Sequence, residues 1–313
     1  PLNSPISARP DWRPAQGKPG SRLEDMQRQA LDPFDVAFGI CNPLYGVQMV
    51  FSEDMADAFC RALNDWLVKE WLDKEPRLRG SIVIPVQSVE KSVAEIERCA
   101  ADKRFVQVLM LVMGDMPLGK RQYWPIYAAA ERLGLPVGIH AGSAYHNPPT
   151  SVGWGSYHIE DYVGQAQAFQ NQLTSLIVEG VFARHPNLKM VMLESGFTWL
   201  PPFLWRLHKF WRGIRMETPW VDRAPSEIVR SNIRFSLQPI DAPPDPATLN
   251  RLFDHMQSDE LLLFSTDYPH WQFEGNDALP EGLSSDLVRK IMIDNPFATY
   301  GRLKQEAARE TTP

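Results

Sequence analysis

The stretch at residues 261–270, LLLFSTDYPH, decides the fold that this sequence predicts. Its first four residues are continuously apolar, which is typical of a strand that is covered on both faces of a parallel sheet. A carboxylate and an imidazole, those of Asp267 and His270, follow this run directly. Catalytic side chains in an α/β barrel stand at the carboxyl ends of the strands. The stretch therefore predicts a barrel strand with site residues at its tip.

Two earlier apolar runs end in the same way. Residues 136–139 (PVGI) lead into His140, and residues 189–193 (KMVML) lead into Glu194. Parallel strands present their carboxyl ends at one edge of the sheet. We therefore expect His140, Glu194 and Asp267 to converge on a single point of the size of a metal ion.

Short apolar runs alternate with stretches of helical period from residue 33 onward, which is the pattern of βα units around a parallel sheet. Seven strands are predicted, at about residues 34–41, 79–85, 105–113, 136–141, 189–195, 232–239 and 261–266. Apolar residues spaced at i, i+4 and i+7 predict helices at residues 88–100 and 162–180. Seven strands do not close a distorted (β/α)8 TIM barrel, so we expect a first strand upstream of Pro1. An open, doubly wound sheet is the alternative.

The chain is expected to form one domain, because α/β barrels of this length are routinely single domains. The barrel is predicted at residues 33–304, after a loop-like N-terminal segment at residues 1–32 and before a tail at residues 305–313.

Composition excludes several classes of function. The net charge of -6 comes from dispersed acids and bases without a basic run, which argues against nucleic acid as a partner. No stretch approaches the roughly 18 apolar residues of a membrane span, and no apolar signal core is present at the N-terminus. The three cysteines are far apart and lack C-x-x-C spacing, which predicts neither a disulfide framework nor a zinc knuckle. We therefore expect a cytoplasmic protein.

His140 and Asp267 are the predicted ligands of a divalent metal, zinc in the first place, with manganese or iron as alternatives. Imidazole is a common nitrogen donor to such ions, and a carboxylate close to a buried strand is costly unless it is paired or bound to a metal. Asp267 is also a candidate catalytic base for metal-bound water. A packed core histidine at position 140 and a turn-capping aspartate at position 267 are the alternatives.

Glu194 is the second predicted catalytic residue, as a proton shuttle, a ligand or a group that orients the ligands. A salt bridge to an arginine is the alternative. Aromatic and imidazole side chains near these strand ends favour a small, flat or apolar substrate. The predicted substrate-binding residues are His270, Trp199, His158 and Trp271.

Four motifs carry a family resemblance: GIHAG at residues 138–142, LESGFTWLP at 193–201, STDYPHW at 265–271 and DNP at 294–296. Together they resemble the amidohydrolase-related family, which includes aminocarboxymuconate semialdehyde decarboxylase and γ-resorcylate decarboxylase. The likeness covers nearly all of residues 33–304. The resemblance implies a divalent metal held by a His-x-His or Glu-x-His pair on the first strand, by His140 on the fifth and by Asp267 on the eighth. It also implies that the first-strand pair lies upstream of this chain.

Glu194 departs from the family's pattern, because the decarboxylases place a catalytic histidine at the end of the sixth strand. A carboxyl group is acidic in its reference state and needs a raised pKa to donate a proton near neutrality. We therefore predict a metal-dependent hydrolase in which activated water attacks a small carboxylated or aromatic substrate. The alternatives are a non-oxidative decarboxylase at the same site, oxygen chemistry at an iron ion and a non-catalytic barrel subunit. The family tendency implies a homodimer.

Overall fold

The computed structural model describes residues 8–44, 46–142 and 146–303. Seven strands are present in this part of the chain: β1 (Gly39–Cys41), β2 (Leu78–Val83), β3 (Phe105–Leu111), β4 (Val137–His140), β5 (Met190–Leu193), β6 (Ile233–Ser236) and β7 (Leu262–Leu263). All seven lie where the apolar runs predict them. The boundary predicted at residue 304 lies outside the described residues.

The α-helices that surround the sheet are α1 (Leu23–Met26), α2 (Glu53–Leu67), α3 (Val89–Cys99), α4 (Trp124–Arg132), α5 (His158–Val178), α6 (Val181–Arg184), α7 (Leu200–Gly213), α8 (Pro225–Asn232), α9 (Pro246–Met256), α10 (Ser285–Arg289) and α11 (Asn295–Thr299). π-helical turns extend α1, α2 and α10 at Gln27–Leu31, Val68–Leu72 and Lys290–Asp294. Turns of 3-10 helix lie at Pro10–Trp12, Val47–Met49, Arg121–Tyr123, Arg215–Glu217 and Gly275–Asp277. The two helices predicted from apolar spacing are confirmed as α3 and α5, although α5 begins earlier, at His158. None of the described helices is long and apolar enough to cross a membrane.

The strands form one parallel sheet in the order β1-β2-β3-β4-β5-β6-β7. A doubly wound sheet would reverse its strand order at a switch point, whereas a barrel keeps sequential order. The sheet is therefore that of a distorted (β/α) barrel with seven strands among the described residues. Its two end strands, β1 and β7, do not pair with each other in this part of the chain.

The period of two along each strand separates the barrel interior from the helix layer. Val83, Leu109, Val191 and Leu263 belong to an interior cluster. Each of them has a neighbour in sequence, such as Ile82 or Met192, that belongs to a second cluster. In this second cluster the sheet packs against the surrounding helices. Both faces are thus buried, which explains why the strands are continuously apolar in sequence.

The N-terminal segment, predicted to be loop-like up to residue 32, is partly helical. α1 and the π-helical turn that follows it run from Leu23 to Leu31, and Ala30 and Leu31 are buried. The loop prediction is wrong here, because a helix of this length carries too few apolar positions to show a period.

The start of the described chain packs against the loop that follows β7. Trp12 is 3% exposed, and its ring lies 5.6 Å from that of Phe273 and 4.9 Å from that of Tyr268. The backbone N–H of Arg9 also donates to the carbonyl oxygen of Pro269 at 3.0 Å. The segment therefore covers the loop that carries Asp267 and His270.

We expect the Trp12→Ala variant to lose about 3 kcal/mol of folding free energy, since truncating a buried Trp leaves a cavity and costs roughly 3–5 kcal/mol. Chemical denaturation monitored by circular dichroism measures this loss. Trp271→Ala is the matched control, because Trp271 is 57% exposed and its truncation should cost little. Equal losses in the two variants would show that the N-terminal segment does not support this loop.

Candidate metal centre

Four predicted side chains meet at the carboxyl edge of the sheet. His140 is the last residue of β4, Glu194 follows β5, and Asp267 and His270 follow β7. β4 and β5 are direct neighbours, and His140 pairs in register with Leu193, the residue before Glu194. The parallel register therefore places the tips of these strands at one level, as the sequence predicts.

The contacts among these side chains are short. Nε2 of His140 lies 2.8 Å from Oε1 of Glu194, and Nδ1 of His270 lies 2.9 Å from Oδ1 of Asp267. One ligand atom each from Glu194, Asp267 and His270 lie within 4.8 Å of one another. The imidazole of His140 and the carboxylate of Asp267 are both only 6% exposed. The four residues therefore form one buried cluster.

The backbone of both acidic residues is left-handed. φ is 60° at Glu194 and 52° at Asp267, a region in which residues with a side chain are uncommon and which costs roughly 1–2 kcal/mol per residue. Hydrogen bonds hold these conformations: Glu194 N–H donates to Oγ of Ser236 at 2.9 Å, and His270 N–H donates to the carbonyl oxygen of Asp267 at 2.8 Å. Such strain is concentrated at functional sites, where the surroundings hold it in place.

The charges of the cluster are coupled. Burial acts to lower the pKa of His140, but the charge of Glu194 and its hydrogen bond outweigh burial and raise that pKa. Burial acts to raise the pKa of Glu194, yet the charge of His140 and the hydrogen bond from it hold the pKa of Glu194 below its usual range. Burial, and then the charge of Glu194, raise the pKa of Asp267 well above its usual range. The pKa values of the two carboxyl groups thus shift in opposite directions, so Asp267 holds a proton more readily than Glu194 does.

This cluster suits a divalent cation. It offers imidazole nitrogen and carboxylate oxygen, which zinc, manganese and iron all accept. A bound cation would also balance the negative charge of the Glu194 and Asp267 carboxylates, because metal ligands bind in their deprotonated form. His140 and Asp267, the two predicted ligands, would hold the ion together with Glu194 and His270. The predicted roles of all four residues remain proposals.

A cavity of about 1250 Å³ opens beside the cluster, and all four residues line it. Its walls are mainly apolar and include Leu193 and Phe264, and it extends to the gap between β1 and β7. Cavities of this size with a few converging polar groups are typical sites for small organic molecules.

The other predicted substrate-binding residues lie elsewhere, and only His270 of the four lines this cavity. His158 is exposed at the start of α5, where its ring contacts that of Tyr162, and Trp271 is exposed on the loop after β7. Trp199 supports the turn behind Glu194 instead, because its Nε1–H donates to the carbonyl oxygen of Ser195 at 2.9 Å. A role of these three residues in binding substrate stays a prediction.

The structure adds residues that the sequence did not single out as site residues. Gln238 lies just after β6, is 1% exposed and lines the cavity, and its Nε2 has no hydrogen-bond partner among the described residues. Tyr162 in α5 has a pKa that is raised, first by burial and then by the charges of Glu194 and Asp267. The position of Gln238 at the end of the sixth predicted strand is a signal by which it could have been found. Tyr162 gives no such signal, because in sequence it belongs to the apolar stripe of its helix.

The profile of the amidohydrolase family matches residues 3–302, which is almost the whole chain. The chain belongs to the amidohydrolase family. The resemblance drawn from the four motifs is confirmed.

Relatives of this amidohydrolase include decarboxylases. It is 24% identical to the γ-resorcylate decarboxylase of Rhodococcus jostii over 229 residues, 66% of this chain and 67% of that protein. Other curated relatives are covered over about half to two thirds of their length. These relatives are enzymes, which supports the predicted enzyme over the alternative of a non-catalytic barrel.

Solved structures share the barrel. An amidohydrolase from Mycobacterium avium subsp. paratuberculosis is 25% identical, with a TM-score of 0.72 over 90% of this chain and 75% of that one. A dihydroxybenzoic acid decarboxylase from Polaromonas sp., solved with manganese and the inhibitor 2-nitroresorcinol, is 22% identical, with a TM-score of 0.70 over 89% of this chain and 86% of that one. At this identity the second likeness shows the fold, and the manganese belongs to that protein.

Proposed function

We propose that this amidohydrolase is a metal-dependent carboxy-lyase that removes CO₂ from a small hydroxylated aromatic acid, with dihydroxybenzoates as the first substrates to test. The convergence of His140, Glu194, Asp267 and His270 beside an apolar cavity carries the proposal. The decarboxylase relatives favour this reaction over the hydrolysis that the sequence alone favours. Manganese becomes the first metal to test, ahead of zinc, because a structural relative holds it.

The reaction requires one proton. When the bond between the ring carbon and the carboxylate carbon breaks, the ring carbon keeps the electron pair and must gain a proton as CO₂ leaves. One carboxylate oxygen each of Glu194 and Asp267 lie within 4.8 Å of each other, and a carboxyl group that becomes a metal ligand loses its proton, so the proton for the ring carbon must be taken up from solvent. We assign proton delivery to this pair as a unit, since coupled carboxyl groups titrate together.

The remaining groups bind and orient. When bound, a divalent ion supplies positive charge that attracts the oxygen atoms of an anionic substrate. Nδ1 of His270 contacts Asp267 and fixes the orientation of its carboxyl group. The apolar walls of the cavity hold an aromatic ring and exclude water, which strengthens the electrostatic interactions inside.

Removal of the metal tests this proposal. We expect dialysis against a chelator to abolish CO₂ release and addition of Mn²⁺ to restore it, because the two carboxylates and the imidazoles cannot replace the cation's positive charge. Gas-phase mass spectrometry of CO₂ released from γ-resorcylate measures both steps. Full activity in protein shown to be metal-free would contradict a metal-dependent mechanism.

A metal-dependent hydrolase is the second candidate function. The observation in its favour is Glu194 itself, a carboxylate where the decarboxylases that the chain resembles have a catalytic histidine. Because its pKa is lowered, the Glu194 carboxyl group is ionised near neutral pH and can take a proton from metal-bound water, which a hydrolase requires, but has none of its own to donate. Hydrolysis would place an oxygen atom from solvent in the product, whereas decarboxylation would not.

We further propose that the protein forms a homodimer and acts in the cytoplasm. α7 exposes Trp205 at 58%, and the turn after it exposes Met216 at 94%; large apolar side chains left exposed in one region are candidates for contact with a second copy of the chain. Light scattering should give about twice the chain mass of 35.6 kDa. Replacing both Trp205 and Met216 with aspartate should yield a monomer, and a double variant that stays dimeric would exclude this surface.

A further inference from the structure

The loop after β6 reaches back to the turn that carries Glu194. One carboxylate oxygen of Asp241 accepts a hydrogen bond from the backbone N–H of Phe197 at 3.2 Å, and the other accepts one from Oγ1 of Thr198 at 2.8 Å. Hydrogen bonds to an ionised carboxylate are about twice as strong as those between neutral groups. Asp241 therefore ties together two segments that are more than forty positions apart in sequence.

Gly196 lets this carboxylate approach. Its φ is 64°, and a Cβ atom at this position would lie 2.5 Å from Oδ2 of Asp241. Glycine is required here twice, first for the left-handed backbone and again for the space that the carboxylate occupies. The glycine in the sequence Glu194-Ser195-Gly196 thus leaves the space that the Asp241 carboxylate fills.

The same turn is held at its other end. Ser236, in β6, accepts a hydrogen bond from Glu194 N–H at 2.9 Å, and Trp199 donates one to the carbonyl oxygen of Ser195. The left-handed backbone of Glu194 is unfavourable by itself and so depends on such contacts. Without Asp241, the far end of the turn would lose two hydrogen bonds, and the Glu194 backbone could relax toward an unstrained conformation.

We propose that Asp241 is a positioning residue, which holds the turn at residues 194–198 so that the Glu194 carboxylate stays against His140 and Asp267. This inference rests on the proposed function in one respect, namely that the cluster binds a divalent ion. Asp241 does not line the cavity, so it acts through Glu194 and not on a substrate.

Metal affinity tests this role separately from activity. Mn²⁺ binding is measured from the electron paramagnetic resonance signal of the free ion, in the full chain and in the variants Asp241→Ala and Asp241→Asn. We expect the dissociation constant to rise about tenfold in Asp241→Ala, in line with the roughly 10–100-fold cost of removing groups that orient metal ligands. The dissociation constant of Asp241→Asn should lie between those of the wild type and Asp241→Ala, because the single amide oxygen can accept only one of the two hydrogen bonds.

Asp245→Ala is the matched control. Asp245 lies in the same loop, is exposed like Asp241, and accepts hydrogen bonds from N–H and Oγ1 of Thr248 at the start of α9. Its loss should lower the melting temperature about as much as the loss of Asp241, with Mn²⁺ affinity within twofold of the wild type. Equal affinities in Asp241→Ala and Asp245→Ala would overturn the proposal.

A double-mutant cycle with Gly196→Ala gives an independent check. The alanine collides with the Asp241 carboxylate, so Gly196→Ala should weaken Mn²⁺ binding less in the Asp241→Ala background than in the wild type. Strict additivity would contradict a direct coupling. A wild-type protein that releases no CO₂ but shows these affinity changes would refute the carboxy-lyase proposal alone, whereas a wild type that binds no Mn²⁺ would refute both.

Discussion

Asp267→Ala is expected to reduce turnover by a factor of roughly 10²–10⁴ or more, the range for removing a proton-transferring group, while the barrel stays folded. Asp267 contributes a buried carboxylate that is a predicted metal ligand, and it lies against Glu194 and His270. Its truncation also removes a carboxylate that is costly to bury, although the left-handed backbone at this position remains. Thermal stability should therefore change little or even rise. Steady-state kinetics and the melting temperature of the same preparation measure the two effects.

Asp277→Ala is the control for this prediction. Asp277 is an exposed aspartate in the same C-terminal region of the chain, in the 3-10 turn Gly275–Asp277. Its replacement should leave activity within twofold of the wild type. Turnover that survives in Asp267→Ala would place the chemistry elsewhere.

Glu194→Gln and Glu194→His form the second prediction. Glutamine keeps the shape of the side chain but cannot share a proton with Asp267, so we expect a loss of roughly 10²–10⁴-fold in kcat. Histidine is the residue that the resembling decarboxylases have at this strand end. We expect Glu194→His to retain at least tenfold more activity than Glu194→Gln. Kinetics with a dihydroxybenzoate and bound Mn²⁺ measure the difference.

Glu179→Gln is the control, because Glu179 is partly exposed, pairs with Lys120 and does not line the cavity. A surface pair of this kind contributes little, so activity should be unchanged. Equal loss in Glu194→His and Glu194→Gln would show that a carboxylate is required at this position, which favours the hydrolase. Wild-type activity in Glu194→Gln would remove Glu194 from the mechanism.

The sequence predicts the strand tips well for a physical reason. A strand that is buried on both faces is a run of apolar residues, so a polar residue at its end or shortly after it, such as His140, Glu194 or Asp267, marks the tip. Parallel strands in sequential order then bring neighbouring tips together without further information. The convergence of these three residues thus depends only on local pattern and sheet topology.

Other features depend on contacts that the sequence pattern does not encode. Trp199 belongs to the motif that contains Glu194 and is predicted to bind substrate, but its indole N–H donates to the carbonyl oxygen of Ser195 instead. Asp241 looks like one acid in a proline-rich loop, and only the structure shows that it bonds to the turn after Glu194. The left-handed backbone at Glu194 and Asp267 is also invisible in sequence, because neither residue is glycine.

The preference between hydrolase and decarboxylase rests on a single substitution, a carboxylate at position 194 where the resembling decarboxylases have histidine. A single carboxyl group at this position would need a raised pKa to donate a proton near neutral pH. The structure offers another route, because the neighbouring Asp267 has the raised pKa and is hydrogen-bonded to Glu194. The pair can therefore hold a proton more readily than Glu194 could by itself.

The fate of the substrate carboxylate distinguishes decarboxylation from hydrolysis most directly. The Mn²⁺-loaded protein is incubated with γ-resorcylate in water enriched in oxygen-18, and the organic product and the gas are analysed by mass spectrometry. A carboxy-lyase should release one CO₂ per substrate consumed and give an organic product that contains no solvent oxygen. An organic product that carries oxygen-18, formed without CO₂, would contradict the carboxy-lyase and establish a hydrolase.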